Sequence, residues 1–343
     1  MSPQKVWFVN FSGIGNGIMI IPVLACFEKT FPETTYFHTY NDIFADNWFL
    51  GKGGLKNLIG LSEIGWRRFK KEDWLNILNF IKEKHIDLIV NLRNEGPHCD
   101  IDYYAFKEYA SFSNLNLNFW DLNFEEIENR KIQENYIKDV LRMMDTNGVD
   151  VSNYNNHWLE SLRKPKDCIS GIGLCITASQ NNKRWPKAKW SSLIRYLLSK
   201  SFGQKIIIFP GKSKFEQEEA NELCYGNLNN CSFVIRNSLR EITEEISCLK
   251  CLISNDTGLL HIAASLNVPI VGIYTNTDPA VWGPYEHHDF IYFINNYMYR
   301  CPHRKIHCGN CLNYYDICPA IEKYGDDINP IEVLKAVETC IID

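Results

Sequence analysis

Long apolar runs are missing from this chain. The longest, residues 18–27, is ten residues and is interrupted by Pro22, whereas a membrane-spanning helix needs about 20. An excess of positive charge is missing as well. Lys and Arg number 36 against 41 Asp and Glu, a formal net charge of −5, which argues against a nucleic-acid binder and gives no general pull toward an anionic membrane. No charged-then-apolar leader precedes the first strand-like segment, residues 6–10, so a cytoplasmic protein is the expectation. No internal repeat and no low-complexity tract is visible, so a stacked-repeat architecture is not expected. The dinucleotide fingerprint G-x-G-x-x-G is absent too. Ser12-Gly13-Ile14-Gly15-Asn16-Gly17 comes near it, but no acidic residue closes a following strand in the expected manner, and nicotinamide binding has little support.

What is present suits an ordinary globular protein. Of 343 residues, 45% are hydrophobic and 22% charged, enough for packed cores and long for a single one. The first half alternates: strands at 6–10, 35–39 and 87–92, helices at 17–30, 72–84 and 135–145, with a polar, Asn-rich, poorly periodic stretch at 114–130. Charge and Pro165 interrupt the pattern at 163–167. The second half restarts with strands at 171–177, 205–209, 251–254 and 269–274, and helices at 187–201, 213–225, 240–248 and 259–266. A last helix, 330–341, opens with Asn329 as cap and Pro330 at the first position. The expected fold class is α/β, with two doubly wound, Rossmann-like domains facing a cleft: 1–165, 166–328, then a terminal helix 329–343.

Three loops carry candidate chemistry. Between strand 251–254 and the next helix stand Asn255-Asp256-Thr257-Gly258, with His261 in the first helical turns. A helix N-terminus beside Thr and Gly is a natural phosphate seat, here at the carboxyl edge of a parallel sheet. After strand 171–177 come Thr177-Ala178-Ser179-Gln180-Asn181-Asn182-Lys183-Arg184-Trp185-Pro186. Hydroxyls followed by Lys183 as a point charge and Arg184 as a fork suit a diphosphate. The plain alternative is a solvated basic loop. After strand 205–209, Gly211 and Glu216 stand at a third such edge, with Glu216 either taking a ribose hydroxyl pair or favouring its own helix N-terminus. The Ser12 to Gly17 turn either lets a ligand approach the backbone or packs helix on strand.

These motifs carry a resemblance. Asn255-Asp256-Thr257-Gly258-x-x-His261-x-Ala263-Ala264, Pro269-Ile270-Val271-Gly272-Ile273-Tyr274 and Trp282-Gly283-Pro284, with Lys183-Arg184-Trp185-Pro186, Gly211 and Glu216, and the Gly15 to Pro22 turn-helix, resemble glycosyltransferase family 9, the heptosyltransferases, over nearly the whole chain to about Pro284. The resemblance implies a GT-B fold, with an ADP-heptose donor held mainly by the second domain and the acceptor by the first. It also implies inverting transfer that needs no metal. By that match Thr177, Ser179 and Lys183 meet the donor phosphates and sugar, Asp256, Thr257, Gly258 and His261 hold the sugar and diphosphate, and Glu216 the ribose. The acceptor is a saccharide or protein hydroxyl.

One position departs from the family. Its members usually carry Asp after the first-turn glycine as base toward the acceptor, and this chain has Asn16. A carboxamide orients a hydroxyl but takes no proton at neutral pH. Arg93, Glu95, His98, Asp100 and Asp102 crowd the loop after strand 87–92, and Glu95 and Asp102 are the candidate substitutes. The alternatives are a donor linked to GDP or UDP, and an inactive nucleotide-sugar binder.

Of thirteen cysteines, four cluster as Cys301-x6-Cys308-x2-Cys311-x6-Cys318, with His303 and His307 inside. Four thiols at this spacing, without a secretion signal, suit a structural metal site, Zn2+ by default and iron as the other choice. Disulfides and free thiols are the alternatives. Of the other cysteines, Cys26, Cys168, Cys175, Cys224, Cys231, Cys248, Cys251 and Cys340 read as small buried hydrophobes and Cys99 as a loop thiol.

Overall fold

The computed structural model describes residues 3–9, 13–39, 47–61, 69–92, 101–129, 134–200, 205–225, 230–275, 277–286, 291–295 and 328–342. By its contacts the chain divides into Met1–Asn155 and Asn156–Asp343.

In the first unit, β1 (Lys5–Val9), β2 (Thr35–Thr39), β3 (Leu58–Leu61), β4 (Leu88–Asn91) and β5 (Asn118–Trp120) form one parallel sheet in the order β3-β2-β1-β4-β5. Apart from Lys5 at the start of β1 and Asn91 at the end of β4, both strands are apolar, because a parallel sheet is covered on both faces. The apolar run around Pro22 lies in α1 (Ile14–Thr30), a buried core helix. Aromatic rings fill this unit: Phe8 stands edge-on to Phe27 at 5.0 Å, and Phe69 lies 4.9 Å from Phe106. Glu28, on α1, is buried, and its carboxylate accepts from the Tyr36 hydroxyl and from the Lys56 N–H at 2.9 Å. The Tyr36 hydroxyl is pushed far above its usual pKa by burial and by this carboxylate.

Further elements are α2 (Asn47–Lys52), α3 (Trp74–Lys84), α4 (Ile101–Ser111), α5 (Phe124–Asn129) and α6 (Tyr136–Thr146), the last capped by the Asn135 side chain on the Ile137 N–H at 3.0 Å. Two expectations are corrected here. The region read as a loop around Asp102 is the first turn of α4, and the poorly periodic stretch 114–130 holds β5 and α5.

The second unit repeats the plan with one strand more. β6 (Ile172–Cys175), β7 (Ile206–Phe209), β8 (Cys231–Phe233), β9 (Cys251–Asn255), β10 (Ile270–Tyr274) and β11 (Ile291–Asn295) are parallel, in the order β11-β10-β9-β6-β7-β8. Its helices are α7 (Lys187–Ser199), α8 (Lys214–Cys224), α9 (Leu239–Ile246), α10 (Gly258–Ser265), the single turn α11 (Pro279–Trp282) and α12 (Pro330–Ile342). Asn329 accepts from the Ile331 N–H at 2.9 Å at the start of α12, which packs on α7, β9 and β10. Trp185, Trp190, Leu193, Ile253, Val333 and Val337 share one core. In both sheets the first strand in sequence lies beside the fourth, so each unit has one topological switch point, between β1 and β4 and between β6 and β9. A doubly wound sheet opens a ligand crevice at that place, beyond the carboxyl ends of the strands.

Candidate functional site

The loops leaving β6 and β9 meet at the switch point of the second sheet. Their helices differ from their neighbours in how they begin. α8 and α9 are closed by capping boxes, Ser213 with Glu216 and Ser238 with Glu241, and α11 by the Asp278 side chain. α7 and α10 have no side-chain cap: Pro186 and Thr257 occupy the cap positions and neither side chain returns to the helix. The first N–H groups of a helix need partners and carry the positive end of its dipole. The two helices flanking the switch point are therefore the ones whose starts a bound anion can complete. The Thr257 hydroxyl lies 3.3 Å from the Ser254 hydroxyl and 3.5 Å from the Cys175 thiol.

Across this gap Lys183 Nζ donates to Asp256 Oδ2 at 2.6 Å, and the Thr277 hydroxyl donates to the same oxygen at 2.7 Å. Asp256 is nearly buried and Lys183 keeps a fifth of its side chain in solvent. Burial works against the Asp256 charge, but Lys183 and Thr277 outweigh it and hold its pKa below the usual carboxylate range. His261, one turn into α10, is 5% exposed. Burial drives its pKa down to about 4, Asp256 opposes that and Lys183 adds to it, so the ring is neutral at pH 7. Its Nδ1 is buried and finds no hydrogen-bond partner among the described residues. Lys183, Asp256, Thr257, Gly258 and His261 thus form one group that offers a cation, helix N–H dipoles, a hydroxyl and a neutral imidazole.

Asn255 ties the two loops together. Its Oδ1 accepts from the Trp185 N–H at 3.1 Å and its Nδ2 donates to the Ile176 carbonyl at 2.8 Å. Reading the motif for charged and hydroxyl groups passed over this residue and Thr277. An Asn closing a strand that starts with the apolar run Cys251-Leu252-Ile253 is the available signal for the first.

The other expected site residues are placed as follows. Thr177 is half-buried and Ser179 exposed, both on the loop after β6. Arg184 does not stand free as a fork for phosphate. It pairs with the Glu216 carboxylate, lies 4.0 Å from that of Glu219 and donates to the Ala178 carbonyl at 3.2 Å. The other Glu216 oxygen accepts from the Ser213 hydroxyl at 2.8 Å and its N–H at 3.3 Å. Gly211 lies against this carboxylate, and a Cβ there would collide with it. Asn16 is half-buried in the first turn of α1, which has no acidic residue in that turn. Asp102 is exposed in the first turn of α4. α1 and α4 follow β1 and β4, so Asn16 and Asp102 belong to the switch edge of the first sheet. Glu95, with Arg93, His98 and Asp100, lies outside the described residues, as do Cys301, Cys308, Cys311, Cys318, His303 and His307. Among the described residues no group of three or more His, Cys, Asp or Glu could hold a metal ion. No helix among them is long and apolar enough to cross a membrane.

Residues 147–311 match the profile of glycosyltransferase family 9 (heptosyltransferase). That segment is just under half of the chain. The family 9 segment contains every member of the Lys183, Asp256 and His261 group. Lipopolysaccharide heptosyltransferase 1 of Pseudomonas aeruginosa is 31% identical over 103 residues, 30% of this chain and 28% of that protein. The chain thus spans about a third or less of the length of that curated relative. Solved folds align over nearly the whole chain. The E. coli heptosyltransferase WaaC with ADP covers 98% of it and 100% of the other chain, at TM-score 0.62 and 16% identity. The iron-containing dodecameric glycosyltransferase TibC of E. coli H10407 covers 99% of it and 76% of the other chain, at TM-score 0.61 and 10% identity. These likenesses establish the fold, two Rossmann-like parallel-sheet units.

Proposed function

We propose that the chain is an inverting glycosyltransferase that moves a heptose from ADP-heptose to a hydroxyl of a saccharide or protein acceptor. The observation that carries this reading is the Lys183–Asp256 pair set between two uncapped helix starts, inside the family 9 segment. In this reading the second unit holds the donor. The α10 N-terminus and Lys183 neutralise the departing diphosphate, which is where negative charge grows as the glycosidic bond breaks. Asp256 holds Lys183 in place and accepts from sugar hydroxyls. Thr177, Ser179, Thr257, Gly258 and the neutral His261 ring supply further polar contacts, and none of these steps calls for a metal. The ADP found with WaaC and the family description support an adenine-linked heptose over GDP- or UDP-linked sugars.

The first unit receives the acceptor in this reading. With Asn16 in place of a carboxylate, deprotonation falls to Asp102 or Glu95, a contribution of roughly 10²–10⁴ in rate for a general base. Asn16 also favours a second reading, a catalytically inactive nucleotide-sugar binder. Cys301, Cys308, Cys311 and Cys318 are proposed as a structural metal site on the strength of their spacing, with the iron-containing TibC fold as precedent for iron beside zinc.

The test is donor turnover. Purified protein is incubated with ADP-heptose, GDP-mannose or UDP-glucose and a heptose-deficient lipopolysaccharide core, and nucleotide diphosphate release is followed. Acceptor-dependent release of ADP alone supports the reading. Release from another donor overturns the donor, and donor binding without any release favours the inactive binder.

A further inference from the structure

Parallel pairing of β6 with β9 ends at Cys175 opposite Ser254. Beyond that point the register pairs no further residues of the two strands. The gap is closed by one side chain. Asn255, the last residue of β9 and wholly buried, sends its Nδ2 to the Ile176 carbonyl at 2.8 Å and receives the Trp185 N–H on Oδ1 at 3.1 Å. The two contacts hold the opposite ends of the loop that carries Thr177, Ser179 and Lys183. Its far end is anchored again by Trp185, whose ring lies 5.0 Å from Trp190 and whose Nε1 donates to the Ile328 carbonyl at 3.3 Å. The residue after Asn255 is Asp256, which receives Lys183 from that same loop at 2.6 Å.

The chemistry singles out a carboxamide. The site presents two carbonyl acceptors, of Ile176 at 2.8 Å and Thr177 at 3.5 Å, and one donor, the Trp185 N–H, and unsatisfied buried backbone groups are costly. Asn offers one donor group and one acceptor in a rigid plane. Asp offers acceptors only while ionised, and Leu neither.

We propose that Asn255 is a positioning residue for nucleotide binding: by clamping both ends of the loop after β6 onto β9 it sets the register at which Lys183 meets Asp256 and the α10 N-terminus. The clamp rests on the donor site proposed above and says what holds that site in shape. It acts through Lys183 and does not itself reach the ligand.

The experiment compares wild type with Asn255→Ala and Asn255→Asp, using ADP as the probe. Hydrogen exchange at the Trp185 backbone N–H reads the clamp without any ligand, and calorimetry reads ADP affinity at about pH 8 and pH 5.5. Each ratio is taken against wild type at the same pH, which cancels the titration of ADP itself and of Asp256, Lys183 and His261 around the loop. Asn255→Ala loses Trp185 protection and weakens ADP binding by about tenfold or more. Asn255→Asp binds weakly at pH 8, where a carboxylate faces the Ile176 carbonyl. It recovers toward wild type at pH 5.5, because a protonated carboxyl donates to that carbonyl while its C=O accepts from Trp185. A role in stability alone would not restore affinity in acid. Should Asn255→Ala fail to fold, Asn255→Asp, of nearly equal volume, carries the test. Variants that bind ADP as tightly as wild type, or an Asn255→Asp that stays weak in acid, overturn the clamp and leave the donor site standing. A wild type with protected Trp185 that binds no ADP overturns the donor site and the clamp's role with it.

Discussion

His261 makes the buried group at the end of β9 sensitive to acid, and the size of that sensitivity follows from its surroundings. The imidazole is 5% exposed and protonates near pH 4 in the folded chain, against 6.5 for the free side chain. Between those values the unfolded chain binds a proton that the folded chain refuses, so acid favours unfolding. His261 therefore costs nothing above pH 6.5, and stability falls progressively as the pH drops toward 4. From pH 6.5 to about 4.5 the loss spans two pH units, which sets a scale of about 2–3 kcal/mol from this one ring. His261→Leu removes the titrating group and leaves no new buried donor or acceptor. Urea unfolding of both proteins at about pH 7.5 and pH 4.5 reads the term together with the small change it makes at Asp256, the carboxylate coupled to the ring. The variant's stability relative to wild type rises by about 2–3 kcal/mol on going to the lower pH. Parallel pH dependences, or an NMR titration of the His261 ring with a midpoint near 6.5, would refute the reasoning.

Other consequences are local. Glu28→Ala strips the Tyr36 hydroxyl and the Lys56 N–H of their buried acceptor and lowers unfolding free energy by about 2–4 kcal/mol in thermal or urea melts. Gly211→Ala drives a methyl group into the Glu216 carboxylate, loosening the Arg184 pair and the α8 capping box. It destabilises by about 1–3 kcal/mol and is milder in a Glu216→Ala background, which a double-mutant cycle detects. Cys224 and Cys231 are buried free thiols with sulfurs 3.0 Å apart. Diamide takes two hydrogens and two electrons from the pair and closes a disulfide, seen as a cross-linked peptide in non-reducing mass spectrometry that Cys231→Ser abolishes.

Much of the fold was legible because its strands are short apolar runs, such as 205–209 and 269–274, framed by turn residues, and several helices have identifiable caps, such as Ser213 and Asn329. The elements that escaped are those where that contrast fades. β3 ends a sheet and contains Gly60, β5 is only three residues long within an Asn-rich stretch, and α4 follows a charged segment that masks its start. At the site, the phosphate-seat reading of residues 255–261 rests on local chemistry, and α10 starts there without a side-chain cap. Arg184 and Glu216 were harder to read. Each alone is an inviting ligand group, and only the folded chain shows that they lie side by side and engage each other. Asn255 was hidden for the opposite reason: its partners are backbone groups of residues 176 and 185, which no side-chain pattern displays.

Calorimetric titration with ADP, GDP and UDP, on wild type and on Lys183→Ala, tests the central claim most directly. The account predicts selective binding of ADP that collapses when Lys183 is removed. Binding that prefers GDP or UDP, binding indifferent to Lys183, or no binding of any of the three would contradict it.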